Sequence, residues 1–194
     1  MRIAILKYNA GNTASVANAL GRLGADAVIT GDAELLSTAD KVIFPGVGEA
    51  STAMSHLKER GLGEIIKRLR QPVLGICLGM QLLCASSDEN GADCLGVLPY
   101  RVKNFDGRGL RTIHTGWNTV NNLRSPLFKG IAENEHFYFV HGYYVESSTE
   151  TTATCVYGAA FSAAIQHENF HAVQFHPEKS GLAGQTVLEN FLNL

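Results

Sequence analysis

The sequence has no Cys-x-x-Cys pair, no His-Glu-x-x-His, no Gly-x-Gly-x-x-Gly and no P-loop. Those absences leave a zinc ribbon, a thioredoxin-like redox centre, a zincin and a nucleotide-binding loop without support. Lys/Arg-rich runs are missing and the formal net charge is only -2. A nucleic-acid or anionic-membrane partner would need such a basic footprint, so neither is expected. Long apolar runs are also lacking. After Met1-Arg2-Ile3-Ala4-Ile5-Leu6 the chain turns polar at Lys7, too soon for a signal-peptide core or a membrane span. A cytoplasmic protein is the expectation. The histidines show no ligand spacing either, so no metal and no cofactor are expected.

The four cysteines, Cys77, Cys84, Cys94 and Cys155, are therefore read as cytosolic thiols. Cys77 and Cys84, two helical turns apart, suit packing better than disulfide geometry. With 45% apolar and 18% charged residues, the 194-residue chain reads as one soluble domain, 1–194. No repeat, low-complexity tract or linker divides it.

The first part of the chain alternates β-rich runs with helical spacing. Strands are expected at Arg2–Lys7, Ala27–Ile29, Val42–Phe44 and Val73–Ile76. Helices are expected from Thr13 (with Val16, Leu20 and Leu23 on one face and Gly24 as a stop), from Glu49, over Leu62–Leu69, and after Cys77. This alternation predicts a parallel sheet covered on both faces. The second half is richer in strands: Leu98–Val102, Arg111–His114, His136–Val140, Ala153–Val156, Ala163–Gln166 and Ala172–Phe175. A last helix is expected over Leu182–Leu192. The fold class is α/β, a mostly parallel sheet with an antiparallel extension. Phe137 and Phe139 belong to the core with Tyr138 on the other face, Trp117 to core or interface, and His56 to the surface.

Three segments carry the chemistry. Gly75-Ile76-Cys77-Leu78-Gly79 lies between a strand and a helix, where two glycines give a tight turn its clearance. That is the plan of a nucleophile elbow, with cysteine for serine and the N–H of Leu78 facing an oxyanion. A helix N-terminus would favour the thiolate there. Taken alone, the segment serves packing as readily as catalysis. His176-Pro177-Glu178 is the second. Its proline excludes a continuing helix, so an extended segment with both side chains on one side is expected. A carboxylate beside an imidazole orients a general base, although a surface turn with a Glu178–Lys179 ion pair is the plain reading of the motif in isolation. Pro45-Gly46-Val47-Gly48 follows a strand, either as an ordinary turn or as a second source of oxyanion donors.

Together, Gly75–Gln81 and Val173–Glu178 resemble the two triad signatures of the class I glutamine amidotransferases. Pro45–Gly48, Gly116-Trp117-Asn118, Phe137–His141 and Lys179-Ser180-Gly181 are similar to the glutaminase subunits of imidazole glycerol phosphate synthases, over the whole chain. The resemblance implies a three-layer, flavodoxin-like domain. It implies Cys77 as nucleophile, His176 as acid/base and Glu178 as its orienter. It implies oxyanion donors at Leu78 and Val47-Gly48, and a glutamine site at Gln81, Gly142 and Tyr143. Asn12, Trp117, Tyr138 and Lys179 would lie on a face docking a (β/α)8-barrel cyclase subunit, in a heterodimer through which ammonia passes. Two positions depart from the usual pattern: Ile113-His114-Thr115 lacks a proline before the histidine, and Gly142 stands where Ser or Thr is usual. Met80, where related glutaminases of other pathways usually carry histidine, separates the chain from those. A stand-alone γ-glutamyl hydrolase and a non-catalytic relative are the remaining alternatives; the intact Cys77, His176 and Glu178 weigh against the second.

Overall fold

The computed structural model describes residues 1–105 and 112–194. Strands β1 (Ile3–Leu6), β2 (Ala27–Thr30), β3 (Lys41–Gly46) and β4 (Val73–Cys77) alternate with helices α1 (Thr13–Arg22), α2 (Ala33–Thr38), α3 (Ala50–Glu59) and α4 (Leu62–Arg68). Helix α5 (Leu78–Leu83) leaves β4 with no intervening residue. Short strands β5 (Ser86–Ser87), β6 (Ala92–Asp93) and β7 (Arg101–Asn104) come next, then β8 (His114–Val120), β9 (Glu135–His141) and β10 (Tyr143–Val145). Strands β11 (Thr151–Tyr157), β12 (Ala159–His167) and β13 (Phe170–Val173) lead to helix α6 (Gly181–Leu192).

The main sheet has seven strands in the order β11-β12-β13-β4-β3-β1-β2. It is parallel from β13 to β2 and antiparallel from β11 to β13. Adjacent residues of a strand enter opposite cores, as a period of two requires. Leu6 and Phe44 join one apolar cluster, with Leu57 and Leu82 from the helices. Ile5 and Ile43 join the other, with Leu74, Phe175 and Phe191. Helices or strands thus cover both faces, giving the three-layer α/β arrangement read from the sequence. A smaller mixed sheet, β10-β7-β5-β6, parallel only between β5 and β7, and the antiparallel β8–β9 pair complete the fold. None of the described helices is long and apolar enough to cross a membrane.

Several expectations moved. The strand read at Leu98–Val102 begins at Arg101, because Pro99 has no N–H to give a ladder and Leu98 is instead buried in the core. The strand read at Arg111–His114 is β8, which starts where that reading ended and runs on through Gly116; Arg111 itself lies outside the described residues. Strand pairing with β9, His114 opposite His141 through Val120 opposite Glu135, carries the chain past a glycine that looks locally like a breaker. Helix α2 was not anticipated; the Asp32 carboxylate caps it, accepting from the N–H groups of Glu34 and Leu35 at 2.9 Å each. Trp117 is exposed, not core, and His56 is half-buried. Phe137 and Phe139 are fully buried, with Tyr138 between them half-buried.

Candidate active site

Strands β3 and β4 end side by side, with Gly46 level with Cys77, at the carboxyl edge of the sheet where open α/β folds bind ligands. Cys77 takes φ 53 and ψ -108, a conformation that costs a residue with a side chain roughly 1–3 kcal/mol. The sharp turn from β4 into α5 requires it, so the elbow expected from the sequence is present. A Cβ at Gly79 would lie 1.8 Å from the carbonyl oxygen of Phe44, and one at Gly46 would lie 2.5 Å from Tyr8 Oη. The glycines let β3 and the start of α5 touch.

His176 follows β13 and is 1% exposed. The segment after it is a 3-10 turn, Pro177–Lys179, closed by the Lys179 N–H donating to His176 O at 3.0 Å. The extended geometry expected there is therefore replaced, since proline favours the first position of a helical turn. The turn brings Glu178 Oε1 within 2.8 Å of His176 Nδ1, and both side chains are buried. Because the carboxylate accepts, Nδ1 carries the hydrogen, and in the neutral ring Nε2 offers its lone pair. Nε2 and Glu178 Oε2 are buried without a hydrogen-bond partner among the described residues. Burial opposes the imidazolium, but the Cys77 and Glu178 side chains beside it outweigh that and raise its pKa above the usual value.

The thiol of Cys77 opens on a cleft of ≈ 350 Å³. Every residue expected to bind substrate or oxyanion lines it: Val47, Gly48, Leu78, Gln81, Gly142 and Tyr143. Gln81 Nε2 donates to Tyr143 O at 3.0 Å, which ties α5 to β10 across the cleft. Ile113, Val140 and His141, named from the sequence only within motifs and given no role in binding, also line it, as does Glu89, which was not singled out. Glu89 occupies a short turn with no recognisable motif. Its carboxylate accepts from the Ala50 N–H at 2.7 Å, and burial holds it above the ordinary range. It supplies the cleft with an acceptor for an ammonium group.

His141 belongs to a chain of fixed tautomers. Its Nδ1 lies 2.8 Å from Tyr143 O, a carbonyl that can only accept, so Nε2 is the acceptor for His114 Nδ1 at 3.0 Å. His114 Nε2 in turn accepts from Asn118 Nδ2 at 3.1 Å. Both rings are neutral, and burial pushes His141 down to about 3 and His114 down to about 4. The other cysteines stand apart from the cleft. All four are free thiols, and burial pushes Cys84 upward, Cys155 up to about 12 and Cys94 up to about 11.

Of the residues expected on a docking face, three come together. Trp117 and Tyr138 meet edge to face at 6.2 Å, and Lys179 Nζ lies 5.8 Å from the Tyr138 ring centre. Lys179 therefore points to Tyr138, and the Glu178 carboxylate to His176. Asn12 caps α1, accepting from the Ser15 N–H at 3.3 Å.

Residues 4–194 match the family model described as glutamine amidotransferase class-I. The chain belongs to the class-I glutamine amidotransferases. It is 57% identical over 196 residues to a Bacteroides fragilis protein named imidazole glycerol phosphate synthase subunit HisH, covering 100% of each chain. Proteins of that name from Bacteroides thetaiotaomicron and Pasteurella multocida are 55% and 47% identical, over 100% and 98% of this chain and 100% and 96% of theirs. Among solved structures, a putative GMP synthase protein from Thermoplasma acidophilum superposes with TM-score 0.78 at 20% identity, covering 100% of this chain and 92% of that one. PurLQS from Thermotoga maritima gives 0.73 at 19%, covering 99% and 97%. The solved structures show that this amidotransferase has the fold of the others.

Proposed function

We propose that this amidotransferase is the glutaminase subunit of an imidazole glycerol phosphate synthase, releasing ammonia from L-glutamine for a cyclase partner. The observation that carries the reading is the buried His176–Glu178 pair behind an elbow cysteine in a cleft that presents Gln81 and Glu89. The names of its HisH relatives, matched over the full chain, support the rest.

Catalysis begins when His176 Nε2 takes the Cys77 proton and Sγ attacks the side-chain amide carbon of glutamine. The oxygen of the tetrahedral intermediate gains charge, which the backbone N–H groups of Leu78 and the Val47-Gly48 segment stabilise. His176 returns its proton to the departing nitrogen, ammonia leaves, and a glutamyl thioester remains on Cys77. Water, deprotonated by His176, then attacks the thioester and releases glutamate. Glu178 keeps the hydrogen of the neutral ring on Nδ1 and stabilises the imidazolium. Glu89 receives the substrate's α-ammonium group, while Gln81 and the backbone at Gly142-Tyr143 hold its α-carbon end.

The docking face of this proposal takes in the cleft mouth, where Ile113 and Val47 are exposed, together with the exposed Trp117 and Leu182. A (β/α)8-barrel cyclase seated there would receive ammonia without its protonation in bulk water, in a cytoplasmic heterodimer. Docking reaches the triad by a short path. The His176 N–H donates to Tyr138 O at 2.9 Å and the Tyr138 N–H donates to Ser180 Oγ at 2.9 Å, so the hairpin and the triad loop move together.

The test is glutamine hydrolysis with and without the cyclase and its nucleotide substrate. Hydrolysis should rise when both are added; full activity of the isolated chain would refute a subunit role. Cys77→Ala should abolish glutamine-dependent synthesis and leave ammonia-dependent synthesis by the complex intact.

A further inference from the structure

Gln174 lies between β13 and the triad loop, 0% exposed, and the steps above give it nothing to do. Its orientation follows from a backbone atom. Tyr143 O can only accept, so Gln81 must turn Nε2 toward it. The second hydrogen on that nitrogen goes to Gln174 Oε1, also at 3.0 Å. With its oxygen so placed, Gln174 presents only its NH2 group to Cys77 Sγ, 3.6 Å away. Turning the amide over would set donor against donor in a buried site, and its oxygen could pair with Sγ only by drawing the thiol hydrogen from Val140 O.

The sulfur therefore sits between two opposed contacts. Val140 O, 3.7 Å from Sγ, accepts the thiol hydrogen and works for the neutral form. Gln174 donates and works for the anion, because a charged acceptor strengthens the bond. When His176 Nε2 takes the proton, the S–H bond breaks, its electron pair stays on sulfur and the Val140 contact is lost. The Gln174 bond remains.

We propose that Gln174 is a further catalytic residue of this amidotransferase, the fixed N–H donor to Cys77 Sγ, held in orientation by Gln81 of the glutamine site. The inference rests on the glutaminase reading above. It also links substrate to nucleophile. An ammonium group bound at Gln81 Oε1 polarises that amide, which strengthens the Gln81 bond to Gln174 and then the Gln174 bond to sulfur.

The experiment follows alkylation of Cys77 by iodoacetamide against pH on the full chain, with the labelled site located by mass spectrometry and Cys77→Ser as blank. Gln174→Met removes the donor at similar size, and Gln174→Glu replaces it with an acceptor. In both, the alkylation midpoint should move up by about one pH unit, roughly tenfold slower labelling at neutral pH. A wild-type midpoint in Gln174→Met would overturn the proposal. Should neither variant fold, the side-chain amide resonances of Gln174 in the wild type decide. They should titrate with Cys77 and stay flat in Cys77→Ser; flat resonances in the wild type overturn it equally. Failure of the wild type to hydrolyse glutamine, even with the cyclase and its nucleotide substrate, would instead sink the glutaminase reading, a result separable from an unmoved midpoint.

Discussion

Two glycines show how differently one residue type is used. Gly79 stands where a Cβ would meet Phe44 O at 1.8 Å, whereas Gly21, inside α1, would meet nothing within 4 Å. Gly79→Ala must push β3 away from α5, so a loss of more than about 3 kcal/mol is expected, together with glutaminase activity. Gly21→Ala should stabilise by roughly 0.5–1 kcal/mol, because helical glycine carries an entropic cost without a packing role here. Thermal unfolding of the pair checks both signs. Cys77 and its flanking glycines are legible in the chain because an elbow is a local device. Glu89 is not, since a lone carboxylate in a three-residue turn has no periodicity or motif until the fold brings it to the wall of the cleft on which Cys77 opens.

Between elements, the decisive join is the one from the β8–β9 hairpin to the triad loop. Ser180 makes it, accepting from the Tyr138 N–H at 2.9 Å and donating to His176 O at 2.7 Å. Ser180→Ala takes that partner from the Tyr138 N–H at a buried junction and leaves His176 O with the Lys179 N–H alone, and should cost about 1–3 kcal/mol. Catalysis should suffer more than binding, with kcat reduced and KM nearly unchanged, because the cleft wall is untouched while His176 loses a support. Steady-state glutaminase kinetics in the complex read this; a rise in KM alone would contradict it. Strand β9 was legible from its alternation, with Phe137 and Phe139 inward. The length of β8 was not, since Gly116, at φ 123, breaks the local pattern and only pairing with β9 keeps the strand going.

At the scale of the molecule, buried neutral histidines set the response to acid. Burial lowers His114 and His171 to about 4 and His141 to about 3, while in the unfolded chain each titrates near 6.5. The folded state thus binds fewer protons than the unfolded one. Their contribution is complete above pH 6.5 and drains away as pH falls from there toward 4. His176, raised instead, acts oppositely: its contribution is present at low pH and fades as pH rises through its folded value. Chemical denaturation at pH 7, 6 and 5 should show a steep loss of stability. His171→Gln, which removes a ring whose Nδ1 is buried without a partner among the described residues, should make that slope shallower by about one proton.

The sequence by itself determined the α/β class and the cores on two faces of a parallel sheet, and it offered the elbow at Cys77 and the pairing of His176 with Glu178, the latter through an extended segment where the structure has a 3-10 turn. Each is written in short-range spacing: alternating apolar residues, a strand running into a helix, two side chains two positions apart. Tertiary structure alone decided which atoms meet across long separations. Gln174 reaches Cys77 over 97 positions, and Gln81 reaches Tyr143 over 62. Those contacts depend on strand order and on how the hairpin seats against the sheet. Hydrogen-bond direction adds a last constraint, since one backbone carbonyl, Tyr143 O, fixes the tautomers of His141 and His114 and the facing of both glutamines.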